Sequence, residues 1–152
     1  MVETGVARGY TTAAALGAMA DVGRGRLHSI DLPGMRDDGL PDDEIGDVVP
    51  PEVRDRWTLR IGPSRRLLGP LLRELGEIDL FLHDSDHTYG AQLWEYRTAW
   101  PFIGEGGVLI SDDVSNTAFL EFCDEAKAEP VLIGRVGPWM ASPIGLARKR
   151  ST

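Results

Sequence analysis

Two apolar runs of the chain end in acids. Ile78-Asp79-Leu80-Phe81-Leu82-His83 runs into Asp84, and Val108-Leu109-Ile110-Ser111 runs into Asp112 and Asp113. If these runs are neighbouring strands, three carboxylates converge, and such a cluster repels itself unless one acid is protonated or a cation sits among them. Oxygen donors alone select a hard ion, Mg²⁺ first, with Mn²⁺ or Ca²⁺ as alternatives. No pair of Cys or His has the spacing of a zinc site. Taken singly, Asp112 reads as the cap of the next element and Asp113 as a solvated acid, so the weight rests on the trio. His87 follows three residues after Asp84, in Asp84-Ser85-Asp86-His87. At a strand-to-helix turn that spacing sets an imidazole beside a metal-bound group, where it can take a proton near neutrality. His83 competes for this role, but strand alternation turns it to the face opposite Asp84. It reads as structural, and His28 as a strand residue with no functional case.

A second set lies near the start. Glu3-Thr4-Gly5-Val6-Ala7-Arg8-Gly9 has the form E-x-G-x-x-x-G. Glycines let a backbone turn tightly and let a ligand approach without a Cβ in the way. The N–H groups of the helix that follows face an anionic group, and the Thr11 hydroxyl is placed to join them. Neither G-x-G-x-x-G nor the Gly-Lys-Ser/Thr of a P-loop is present. Asp31 closes the next strand, close to the ~20-residue offset from the turn at which an acid grips a ribose diol. The bland alternative is a turn-forming Asp before Pro33.

These residues need a scaffold that gathers strand ends. The pattern predicts a helix over 11–20, a strand over 26–30, and an acidic loop from 37 to 51, either a solvated excursion or a lid. A strand over 57–61 leads through Gly62-Pro63-Ser64 to a helix whose apolar face is Leu67, Leu68, Leu71, Leu72 and Leu75. A strand over 78–82, a helix over 89–100 stopped by Pro101, a strand over 108–111 and a helix over 119–128 follow. Two final strands, 130–135 and 144–147, are separated by a gap around Gly137-Pro138-Trp139-Met140 that suits a hairpin. Alternating strands and helices imply an α/β fold with a doubly wound, mainly parallel sheet and an antiparallel C-terminal hairpin at one edge. In such sheets ligands bind beyond the carboxyl ends of the strands, at a switch point. That is where Glu3, Gly5, Asp31, Ser64, Asp84, Asp112 and Asp113 fall. Trp94, Trp100 and Trp139 read as core rather than as a substrate platform.

Composition narrows the field. The chain has 152 residues, 42% hydrophobic and 26% charged, as in a soluble globular domain. A net charge of −8 argues against nonspecific nucleic-acid binding. The lone cysteine, Cys123, suits a reducing compartment, and no run is long enough to span a bilayer. The expectation is a cytoplasmic protein with no nucleic-acid or membrane partner.

The motifs and their order resemble the class I S-adenosylmethionine-dependent methyltransferases, in the metal-dependent O-methyltransferase branch that includes catechol and macrolide-sugar O-methyltransferases. The resemblance is carried by Val2-Glu3-Thr4-Gly5, by Leu27-His28-Ser29-Ile30-Asp31-Leu32-Pro33, by the segment from Ile78 through Asp84-Ser85-Asp86-His87-Thr88-Tyr89, and by Gly106-Gly107 through Asp112-Asp113. It implies a Rossmann-like methyltransferase sheet. It also implies that Glu3, Gly5, Gly9 and Thr11 hold the methionine part of S-adenosylmethionine, that Asp31 binds its ribose, and that Ser64 lies near the adenine. Asp84, Asp112 and Asp113 would hold Mg²⁺ or Mn²⁺. His87 falls where the catechol enzymes have a lysine base and the sugar enzymes a histidine. Asp113 stands where the catechol enzymes have asparagine, and its extra charge argues against a catechol acceptor. The implied reaction is Mg²⁺-dependent methyl transfer to a hydroxyl of a small molecule. The alternatives are a non-catalytic cofactor-binding or truncated assembly module, and a metal-dependent hydroxylase-like enzyme. Residues 1–152 are expected to form a single domain without the helices that usually precede the first strand in this family. Apolar surface left bare by their absence would favour a homo-oligomer.

Overall fold

The computed structural model describes residues 1–32, 45–134 and 142–150. The loop or lid expected up to residue 44, the turn around Gly137-Pro138-Trp139-Met140 and the core role of Trp139 lie outside the described residues. So does the end of the strand expected to reach Arg135.

Among the described residues seven strands and four α-helices follow one another: β1 Val2–Thr4, α1 Tyr10–Asp21, β2 Leu27–Asp31, β3 Trp57–Ile61, α2 Ser64–Leu75, β4 Ile78–His83, α3 Tyr89–Ala99, β5 Ile103–Ser111, α4 Ala118–Ala126, β6 Pro130–Ile133 and β7 Ile144–Arg148. The sheet order is β3-β2-β1-β4-β5-β7-β6. Strands β1 to β5 pair in parallel, and β7 runs antiparallel between β5 and β6. The expected hairpin therefore exists, with β6 as the edge strand and β7 inside. Although β1 has only three residues, it is central: Val2 pairs with His28 on one side and Phe81 on the other. The chain leaves β1 outward to β2 and β3, then returns to β4, so the switch point lies between β1 and β4.

Packing explains the helices. Leu68, Leu71 and Leu72 of α2 are fully buried with Phe81, Tyr96, Leu109, Phe119 and Phe122 in the larger core, each contributing roughly 1.5–3 kcal/mol by leaving water. Pro70 sits inside α2, where a missing N–H ordinarily breaks a helix. The buried leucines on both sides of it outweigh that cost. On the opposite face α1 packs a smaller cluster, in which Leu16 and Leu27 meet Val49 and Val53. Two bounds depart from the sequence pattern. β5 begins at Ile103 rather than 108, because Gly107 lets the strand pass close to the Asp79 carbonyl. The expected acidic loop ends in structure: Pro51, its last residue, opens a short 3-10 helix, Pro51–Arg56, that buries Val53.

Candidate active site

The β1–α1 turn is built by its own chain. Gly5 has φ +84°, and a Cβ there would lie 1.9 Å from the carbonyl oxygen of Asp84. Gly9 has φ +90°, and a Cβ there would meet Val49 Cγ2 at 2.8 Å and Gly46 Cα at 2.9 Å. These glycines therefore admit neighbouring backbone as well as freeing the turn. Asp31 fixes the turn from below: Oδ2 accepts hydrogen bonds from the Val6 and Ala7 N–H groups at 3.0 and 2.9 Å, and Oδ1 accepts from Leu32 N–H at 2.7 Å. Glu3 is fully buried. Its Oε2 accepts hydrogen bonds from Thr12 Oγ1 at 2.9 Å and Ser29 Oγ at 2.6 Å. Burial pushes its carboxyl up to about 7 despite these donors, and Oε1 has no partner among the described residues. Thr12, which the sequence reading does not name, is thus the threonine bonded to Glu3.

Two cavities adjoin these residues. One, of about 760 Å³, is lined by Gly5, Asp31, Ser64, Asp84, His87 and Trp94, among others. The other, of about 580 Å³, is mostly apolar and carries Thr11, Met19, Leu82, Ile110, Asp84 and Asp112 on its walls. Asp84 borders both. Gly9 lines neither cavity. Trp94 is half-buried and forms cavity wall as well as packing against the core; the Arg65 guanidinium stacks over its ring at 5.0 Å.

Where β4 and β5 end, the acids and His87 come together. Donor atoms of Asp84, His87 and Asp112 all lie within 4.8 Å of one another. Asp113, with φ +48°, lies outside that trio and faces the other side of the imidazole. His87 Nε2 is 3.6 Å from Asp84 Oδ1 and Nδ1 is 3.5 Å from Asp113 Oδ2. These distances are ion-pair contacts, too long for hydrogen bonds. Asp84 first, then Asp113 and Asp112, hold the imidazole above its ordinary value against partial burial. His83, as expected, is structural: it is fully buried and its Nδ1 donates to Glu95 Oε2 at 2.8 Å.

Glu95 was not singled out by sequence reasoning. It is 1% exposed, borders the larger cavity, and accepts hydrogen bonds from Thr4, His83 and Ser85. Burial pushes its carboxyl up, but hydrogen bonds from His83, Ser64 and Thr4 more than reverse this and hold it below the usual range.

A family model described as a methyltransferase domain matches residues 2–114. The chain belongs to that family. No curated protein matches it by sequence. Among solved structures, the methyltransferase is similar to an O-methyltransferase from Bacillus cereus in complex with SAH, with 16% identity over 98% of this chain and 73% of that one and a TM-score of 0.76. It is similar to TomG, the O-methyltransferase of tomaymycin synthesis from Streptomyces achromogenes in complex with SAM, with 16% identity, 99% and 72% coverage and a TM-score of 0.72. A TDP-rhamnose 3'-O-methyltransferase of calicheamicin biosynthesis gives 17% identity, 97% and 70% coverage and a TM-score of 0.70. The Rossmann-like fold expected from the motifs is the fold of this methyltransferase.

Proposed function

We propose that this methyltransferase transfers the methyl group of S-adenosylmethionine to a hydroxyl of a small molecule, with Mg²⁺, or Mn²⁺ in its place, bound at the ends of β4 and β5. The observation that carries this reading is Asp84: it borders the large cavity at the switch point and belongs to the acid–imidazole cluster beside it. The same reading treats residues 1–152 as one methyltransferase domain.

The residues suit both groups. A cavity of about 760 Å³ is in the size range of small-molecule sites. It borders Asp31 and Ser64 for the nucleoside end, while Glu3 beneath the turn keeps one buried carboxylate oxygen without a partner among the described residues. Asp84 and Asp112 supply hard oxygen donors, and the turn at Asp113 brings a third carboxylate alongside. Bound there, the cofactor supplies an electrophilic methyl group and the ion lowers the pKa of an acceptor hydroxyl.

The chain's own residues do the rest. His87 Nε2, buried and without a hydrogen-bond partner among the described residues, takes the acceptor's proton. The contact of Nδ1 with Asp113 orients the ring. With their negative charge neutralised, the carboxylates no longer hold a proton on His87, and the imidazole is free to accept one. Asp31 and the glycine turn fix the cavity wall against which the nucleoside rests, and such positioning can be worth up to ~7–11 kcal/mol. His87→Ala is expected to lower methyl transfer by about 10²–10⁴-fold while S-adenosylmethionine binding is kept. Full activity in that variant would remove His87 from the base role.

A further inference from the structure

We infer that Gln92 and Asn116 are positioning residues that clasp the two metal-site turns together and set the spacing of His87 and the β5-end aspartates. This rests on the divalent-ion reading of the site. Gln92, on α3, is fully buried, and Asn116 is half-buried just before α4. Asn116 Nδ2 donates to the His87 carbonyl at 3.1 Å and to Gln92 Oε1 at 2.7 Å. Gln92 Nε2 donates to the Asp113 carbonyl at 3.2 Å. Asn116 Oδ1 accepts from the Ala118 N–H at 2.8 Å, which ties the chain of bonds to the first residue of α4.

The chemistry of the partners leaves little freedom. Both main-chain targets are carbonyls, which only accept, so each amide must turn its nitrogen towards them. The two remaining oxygens then accept from Asn116 and Ala118, and each side chain is used in one orientation only. A carboxylate could not replace either amide, because it donates nothing. The clasp also sits where it is needed. Asp84, Asp112 and Asp113 carry like charges on two turns, and their repulsion tends to part those turns. A neutral link across them holds the donors near one point before an ion arrives, as the outer partners of metal ligands do elsewhere.

The test uses the intact protein with Mn²⁺ alone as probe, beside S-adenosylmethionine titration and thermal unfolding. Gln92→Glu and Asn116→Ala should weaken Mn²⁺ binding by about 10–100-fold. S-adenosylmethionine affinity should stay within about threefold, because Asp31, Ser64 and the glycine turn are untouched. Gln92→Asn, which keeps the donor but shortens the arm, should recover part of the loss. Unchanged Mn²⁺ affinity in the first two variants, with the wild type binding the ion, would overturn the clasp and leave the metal site standing. Parallel loss of Mn²⁺ binding, S-adenosylmethionine binding and cooperative unfolding would also overturn it, since it would mark the pair as general packing. A wild type that binds S-adenosylmethionine but no Mn²⁺ would overturn the metal reading itself, and the clasp's role with it.

Discussion

Glu3 shows how far a single side chain can be read before the fold is known. Its type and place in E-x-G-x-x-x-G mark it for the cofactor, but its hydrogen-bond donors, Ser29 and Thr12, lie on other elements. Those partners cannot be paired from the sequence. The consequence is a pH-dependent stability. Burial raises the Glu3 carboxyl from 4.5 to about 7, so the native state binds more protons than the unfolded chain between those values. Its contribution is fully present below pH 4.5 and is lost as pH rises through 7, to a total of about 3 kcal/mol. Glu3→Gln removes this dependence. Urea unfolding should show the variant gaining on the wild type from pH 5 to about pH 7 and levelling off above, and parallel stability curves from pH 5 to pH 7 would contradict the burial argument. Asp84, His87 and Asp112 were legible for a simpler reason: each stands at or just after the end of an apolar run, where the parallel sheet gathers ligands. Glu95, Gln92 and Asn116 were not, because an acid or amide within or just before a helix announces neither its burial nor its partners.

The elements themselves were largely legible from periodicity. β3, α2, β4 and α3 sit within a few residues of the pattern's bounds, since each has an apolar face that the sheet or its neighbours must cover. The 3-10 helix at Pro51–Arg56 was hidden in a polar, proline-containing stretch with only Val53 to bury. The long β5 was hidden by the glycines at its start. Two glycines separate constraint from freedom. Gly5→Ala would drive a Cβ into the Asp84 carbonyl at a left-handed φ, and should destabilise the protein by at least ~3 kcal/mol or prevent folding. Gly17→Ala lies in α1 with nothing within 4 Å of the new Cβ, and should stabilise by roughly 0.4–1 kcal/mol. Denaturant melts of the two variants check this. A neutral Gly5→Ala would mean that β1 and β4 do not approach as closely as described.

At the scale of the whole molecule, the strand order places every candidate residue at one end of one sheet. The crossover from β3 back to β4 puts β1 and β4 side by side, so that Asp31 and Asp84, far apart in sequence, line one cavity. Alternating strands and helices made the doubly wound, mainly parallel sheet legible, but not which strands lie side by side in it. The walls of the two cavities were not, because they depend on which side chains face each other across the switch point. Among the described residues no helix is long and apolar enough to cross a membrane. A chain of net charge −8, with Asp31, Asp84 and Asp112 among the residues lining the two cavities, also suits a cofactor whose reactive sulfur is cationic. The most direct measurement is calorimetric titration of the protein with S-adenosylmethionine, with and without Mg²⁺. Micromolar, one-to-one binding that Asp31→Ala weakens by tenfold or more is the expected result. A cooperatively folded protein that gives no binding heat and no competition with S-adenosylhomocysteine would contradict it.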